Sequence, residues 1–312
     1  MREVIFEVIE ALRFATVHTG GTETFSRELI YAIPLPSTVL GALGVTAGIY
    51  LSEDVCKENI LDIKTLAEKL KGNSLDLFAS SCDEPLLWGP LIRSRERYFF
   101  CVGNELISID KLKHYVCAAL EQNMTKKVEY YKRLKPLIRL GIKLTTQKIA
   151  EPGYMYKVNF YGYNLEQYPA LLVYVANVMF KTTRGIVRLG GENRLVKFSI
   201  GEPSKELIQF LSNEGEYAVA LTPILFYSEE EVKPGMTYGL EDVEDVYGIP
   251  TGKTTKIKVE NIGLGFSEVC KKRRPLIQAL PPGTTLKLKN KKTKAVGFLS
   301  YLGYGSLLKI SL

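Results

Sequence analysis

The chain has 312 residues, 46% hydrophobic and 24% charged, with 18 Tyr against one Trp. That balance excludes global disorder and leaves room for two compact domains, each able to bury a core. The net charge of +7 hides a partition: residues 251–312 carry 13 Lys/Arg against 2 Glu, and residues 1–250 carry 28 basic against 32 acidic. The last fifth of the chain therefore faces a polyanion or is lysine-rich solvated surface.

Five cysteines, Cys56, Cys82, Cys101, Cys117 and Cys270, are widely spaced without a C-x-x-C, and only His18 and His114 exist to complete a ligand set. This argues against a zinc site and against a disulfide framework. The opening MREVIFEVIEALRF places glutamates where a signal peptide needs an unbroken apolar core, so a reducing cytoplasm is expected.

In chain order, Val4, Phe6 and Val8 with Glu3, Glu7 and Glu10 interleaved predict a strand with one wet face. After a turn at Gly20-Gly21, Ser37 is placed to cap a helix whose Val39, Leu40, Leu43, Ala47 and Tyr50 recur at three- and four-residue steps. Its apolar run, Ile33 to Leu51, contains Gly44 and Gly48 in G-x-x-x-G spacing. The part able to be helical, Ser37 onward, is about 15 residues against the roughly 20 that span a bilayer, so a buried core helix is expected. Asp62 is placed to cap a second helix ended by Gly72, and a third is expected over Ser108–Glu121.

Between them GPLIRSRERYFF (89–100) reads as one strand. Arg93, Arg95 and Arg97 would share a face, as a phosphate ladder or as a solvated edge. Residues 142–163 form two extended arms around a Glu151-Pro152-Gly153 tip, with Tyr154, Tyr156, Phe160 and Tyr161 on the returning arm. Strands follow at 170–180 and 195–200, and a boundary is expected near Gly201-Glu202-Pro203. Beyond it come a short helix from Ser204 to Leu211, the strand YAVALTPILF, an acidic stretch from Glu229 to Asp245, and two more strands bracketing KKRRP. Strands mixed with few helices in both halves argue for an α+β fold.

No P-loop, G-x-S-x-G or H-E-x-x-H occurs, so no catalytic residue, metal ligand or cofactor is assigned. His18 is either a general base toward a 2′-hydroxyl or a surface loop residue. Gly190-Gly191, flanked by Arg184, Arg188 and Arg194, is either an anion nest or a tight turn. Lys271, Lys272, Arg273 and Arg274 either bind phosphate or form a basic loop, and their removal touches no expected core position.

Taken in order, PLPSTVLGAL (34–43), GPLIRSRERYFF (89–100), GIKLTTQKIAEPGYMYKV (141–158), RGIVRLGGENRLVKF (184–198), KKRRPLIQALPPGTTLKL (271–288) and GFLSYLGYGS (297–306) resemble the RAMP superfamily of CRISPR-associated proteins. Within it, the likeness is to the type III-B (Cmr) subunit that caps the 5′ handle of the guide RNA.

The resemblance implies two ferredoxin-like (RRM-like) domains, 1–202 and 203–312, with a long hairpin thumb at about 142–161 and a C-terminal glycine-rich loop. It implies a non-catalytic subunit that binds the crRNA 5′ handle and docks on the large polymerase-like subunit and the adjacent backbone RAMP subunit, away from any membrane. The RNA-facing positions would be His18, Gly20 and Gly21; Ser37 and Thr38; Arg93 and Arg95; Lys148, Tyr154 and Tyr156; Arg184, Arg188, Gly190, Gly191 and Arg194; Lys271, Lys272, Arg273 and Arg274; and Gly303, Gly305 and Ser306. The alternative is a metal-independent RAMP endoribonuclease that matures guide RNA with His18 as base.

Overall fold

The computed structural model describes residues 1–17, 29–75, 79–121, 128–144, 150–165, 168–226, 239–251 and 254–312. His18, Gly20, Gly21, Lys148 and the acidic run at 229–231 lie outside them. The first half contributes β1 (Arg2–Val8), β2 (Phe14–Val17), β3 (Leu29–Tyr31), α1 (Pro36–Thr46), α2 (Leu61–Lys71), β4 (Leu87–Ser94), β5 (Arg97–Val102), β6 (Glu105–Ser108) and α3 (Leu112–Leu120). It continues through β7 (Lys135–Leu144), β8 (Ala150–Gly162), β9 (Leu171–Ala176), β10 (Arg184–Arg188) and β11 (Leu195–Gly201). After α4 (Lys205–Ser212) come β12 (Tyr217–Ala220), β13 (Ile224–Leu225), β14 (Val243–Pro250), β15 (Glu260–Gly263), β16 (Phe266–Ser267) and β17 (Lys272–Arg273). The chain closes with β18 (Leu276–Leu280), β19 (Thr285–Leu288) and β20 (Leu307–Ile310).

The main sheet runs β10-β11-β1-β9-β4-β5-β6 and ends on Lys132–Arg133. β1 lies inside it, paired antiparallel with β9 and β11, so Phe6 stands opposite Leu172 and Phe198. The alternation that predicted this strand is explained by its two faces: Val4, Phe6 and Val8 enter the core that α1 and α2 cover. The wet face is only partly wet. Glu3 is buried, receiving Arg93 Nη1 at 3.2 Å and the Ser204 amide at 3.3 Å.

The opposite face of β9, β4 and β5 is covered by α3, α4, β12 and β20 through one cluster built on Trp88, Phe100, Tyr115, Val173, Leu211, Val219 and Leu308. Tyr115, fully buried there, satisfies its hydroxyl by donating to the Gly283 carbonyl at 2.7 Å. The second half forms its own sheet in the order Thr255–Lys256, β14, β19, β12, β20, with β13, β18 and β15 as a smaller one. Sheets are predominantly antiparallel and helices few, which is the α+β character expected from the sequence.

Several local expectations are corrected. Residues 87–102 are a hairpin, not one strand: Arg95 sits at φ +54° in its turn and Arg97 lies on the other arm, so no arginine ladder forms. Helix α1 begins at Pro36, and Ser37 lies inside its first turn rather than capping it. Tyr50 lies beyond the helix and is 88% exposed. Asp62 does not cap α2; its carboxylate is turned to Arg274, while Gly72 ends that helix at φ +84° as expected. Glu151-Pro152-Gly153 belongs to the returning arm β8, where the register shifts between Ala150 and Met155. Cys56 and Cys270 form a disulfide across 214 residues, contrary to the cysteine-spacing argument. The spacing carried no signal because the link is between halves.

Candidate nucleic-acid interface

Three of the segments singled out in the sequence converge on Leu12, Arg13 and Phe14. Leu12 exchanges backbone hydrogen bonds with Tyr161 on β8, at 2.8 and 3.0 Å, which fixes the root of the β7–β8 hairpin. Arg13 presents its carbonyl to the Gly191 amide at 2.9 Å, and Phe14 packs on Gly190. A Cβ on Gly190, which has φ +85°, would stand 2.6 Å from that same carbonyl, so only glycine fits. β2 starts at Phe14 and leads directly into the segment holding His18, Gly20 and Gly21.

The glycine turn is tight and internally satisfied. Leu189 donates to Arg194 O at 2.9 Å, and Glu192 and Asn193 both take positive φ. The expected anion nest is therefore altered: at least two amides are engaged within the protein. Its arginines are paired too, Arg194 with Glu10 and Arg13 with Glu192 at 3.2 Å. Glu10 titrates below the usual carboxylate range because the Leu195 amide, then Arg194, hydrogen-bond its charged form. Arg184 and Arg188 remain exposed on the edge strand β10.

Where hairpin and turn meet, Arg194 and Arg139 lie over the same Phe160 ring, 4.7 and 5.3 Å from its centroid. On β7, Leu137, Ile138 and Leu140 are exposed at 47%, 63% and 63%. Arg13 and Arg139 were not singled out from the sequence, and Phe160 was named only among the aromatics of the returning arm. The only available signal was the basic and apolar mixture of KPLIRLGIKL, which lies before the arm where the hairpin was expected to begin. Tyr154 and Tyr156 are on β8, Tyr156 paired in register with Gly141.

The basic cluster serves two purposes. Arg274 is an internal clamp: Nε lies 3.2 and 3.1 Å from the two Asp62 oxygens, Nη2 lies 2.7 Å from Oδ2, and Nη1 donates to the Leu264 and Phe266 carbonyls. Burial raises the Asp62 pKa, but the Arg274 and Ser267 hydrogen bonds outweigh it and hold the carboxyl below its ordinary value. Lys272 donates to the Cys56 carbonyl at 3.1 Å, beside the disulfide, and Lys271 pairs with exposed Glu268. Arg273 is exposed on β17, opposite Phe266 of β16.

Four other expected contact positions are interior. Ser37 donates to Leu264 O at 2.9 Å and lies 3.0 Å from the Tyr304 hydroxyl, with Thr38 half-buried next to it. Gly303, Gly305 and Ser306 are buried: Ser306 donates to Gly303 O at 2.8 Å, and Thr222 donates to the same carbonyl at 2.8 Å. The glycine-rich loop is thus packing material on the seam between the halves, not an open ligand loop. Arg93 is likewise engaged with Glu3, while Arg95 is exposed at its hairpin turn.

No family model matches the chain. Over 309 residues it is 23% identical to the CRISPR system CMR subunit Cmr3 of Saccharolobus solfataricus, covering 92% of this chain and 86% of that protein. A chain of type III-B Cmr-beta bound to cognate target RNA and AMPPnP superposes with a TM-score of 0.61, 22% identity and coverage of 100% and 99%. A chain of the same complex bound to cognate target RNA gives a TM-score of 0.62 at 19% identity, covering 99% and 98%. The chain therefore has the fold of a type III-B Cmr complex chain end to end, and its sequence is similar to that of a Cmr subunit.

Proposed function

We propose that this chain is a non-catalytic subunit of a type III-B CRISPR (Cmr) effector complex, binding the 5′ handle of the crRNA and docking on the large polymerase-like subunit and the neighbouring backbone RAMP subunit. The carrying observation is the convergence on Leu12–Phe14: hairpin root, glycine turn and the strand leading to His18 are tied to one three-residue stretch. Single-stranded RNA is bound by splayed bases on aromatic or guanidinium planes with cations along the backbone, and this corner holds both.

In this reading residues 1–202 and 203–312 are two ferredoxin-like domains, and β7–β8 is the thumb that wedges beside a guide base through Tyr154 and Tyr156. Lys148 lies within it in sequence, between β7 and β8, and His18, Gly20 and Gly21 follow β2. The guide's phosphates lie along Gly190–Arg194, with Lys271, Lys272 and Arg273 as a second contact. Arg194 exchanges Glu10 for phosphate there, Glu10 being the more exposed member of the pair at 37% against 15%. In this reading the protein acts in the cytoplasm, where the Cys56–Cys270 disulfide departs from the reduced cysteines expected there. Among the described residues no helix is long and apolar enough to cross a membrane.

The test is to purify the tagged chain from its host and sequence what accompanies it. Small RNAs sharing a constant 5′ segment, together with the other complex subunits, are expected, and the purified chain should leave precursor RNA intact in EDTA. Cleavage that disappears in His18→Ala would replace this reading with the endoribonuclease.

A further inference from the structure

Among the described residues the main sheet ends on an unpaired edge strand. β10 pairs with β11 only, and its bonds to β11 fall on every second residue. Ile200 N donates to Thr183 O at 2.8 Å and Leu189 N to Arg194 O at 2.9 Å. Stepping by two between those bonded positions turns the backbone of Gly185 and Val187 toward β11. The N–H and C=O groups of Arg184, Ile186 and Arg188 are left facing outward. The side chains of the same three residues share one exposed face, whereas Val187 is buried on the other. On that face Ile186 at 63% and Leu195 at 43% exposure stand beside Lys197, which lies opposite Ile186 and is paired with Glu7, so the face mixes aliphatic and basic groups. The cluster by which α4, β12 and β20 cover the sheet lies over its β9-β4-β5 end.

The chemistry selects among occupants. A second copy pairing antiparallel about Ile186 would set Arg184 of each copy against Arg188 of the other, a like-charge arrangement that disfavours pairing. RNA could stack on Arg184 and Arg188, but it would leave the outward N–H and C=O groups of the strand without partners. A polypeptide strand supplies the missing backbone partners, and carboxylates on it meet Arg184 and Arg188 in forked hydrogen bonds. We propose that β10 is a strand-addition edge for an extended segment of a partner protein, with carboxylates at alternate positions around an aliphatic residue. The inference rests on the edge strand alone and stands whether or not the corner described above binds RNA.

The experiment uses the full-length chain with three probes: a synthetic peptide alternating Glu and Val, its Lys-Val counterpart, and an oligouridine. Hydrogen exchange at the Arg184, Ile186 and Arg188 amides and fluorescence anisotropy are read together. The acidic peptide is expected to protect those amides and to bind on the order of tenfold more tightly than the basic one. Ile186→Pro removes an outward N–H that has no partner among the described residues, so the fold should persist and binding should drop by on the order of tenfold. Arg184→Glu with Arg188→Glu should reverse the peptide preference, which tests the edge independently of the proline variant. Equal binding of both peptides, or no protection by either, would overturn the proposal. So would protection by oligouridine unaffected by Ile186→Pro, or protection that grows with protein concentration alone.

Discussion

Gly305→Ala is expected to lower the free energy of unfolding by about 4 kcal/mol, a large part of the roughly 5–15 kcal/mol that stabilises a domain. Gly305 has φ +62°, and a Cβ there would stand 1.8 Å from the Val296 carbonyl oxygen. That carbonyl is backbone of the short Ala295–Val296 strand, which pairs with Ser81–Cys82 of the first half, so it cannot step aside as a side-chain end could. Gly303 is similar, at φ +104° with a Cβ 2.3 Å from Leu87 O. Gly103 separates strain from collision: it has φ +61° with nothing within 4 Å. Gly103→Ala should therefore cost only the backbone preference, about 1 kcal/mol. Guanidinium unfolding midpoints of the three variants check this, and equal losses at Gly103 and Gly305 would refute the packing account.

Arg274→Ala is expected to cost about 3–5 kcal/mol because it strands the Asp62 carboxylate. The Asp62 and Arg274 side chains are only 5% and 13% exposed, and the guanidinium also serves two backbone carbonyls. Replacing both partners, Asp62→Leu with Arg274→Met, should recover much of the loss. The pH dependence follows from the lowered folded pKa of Asp62. Its contribution is complete above the unfolded value of about 3.9 and disappears as pH falls through the lower folded value. Wild type and Arg274→Ala should thus converge in stability only below about pH 4. The expectation that all four basic residues could be removed without harm is corrected for Arg274 alone, and Lys271, Lys272 and Arg273 together remain removable with the fold intact.

The elements with strong periodicity were legible. β1, α1 and the α2 stop at Gly72 follow from alternation, from three- and four-residue spacing and from a glycine able to take positive φ. The hairpin was legible as a hairpin, but its tip was misplaced. Pro152-Gly153 is a turn signal locally, yet the register with Ile142 and Gly141 draws those residues into the returning arm. What sequence reasoning missed is what long-range pairing decides. Ser37 is a good cap by type and became a buried link to Leu264, 227 residues away. Arg274 and Lys271 look alike in KKRRP and differ only because Asp62 sits beneath one of them. The glycine-rich end read as a ligand loop because exposed turns and crowded seams demand glycine for different reasons that composition does not separate.

The most direct measurement of the central claim is the affinity of the full-length chain for RNA bearing the host's crRNA 5′ handle, beside the same RNA with the handle scrambled, across a salt titration. Handle RNA is expected to bind more tightly. Tyr154→Ala and Tyr156→Ala should each weaken it by about 1–3 kcal/mol. The Lys271, Lys272 and Arg273 triple alanine variant should weaken both RNAs alike, and flatten the slope of log K against log salt by up to about 0.7 per lost contact. Equal affinity for both RNAs, unmoved by the tyrosine variants, would contradict the claim that this chain holds the guide by its handle.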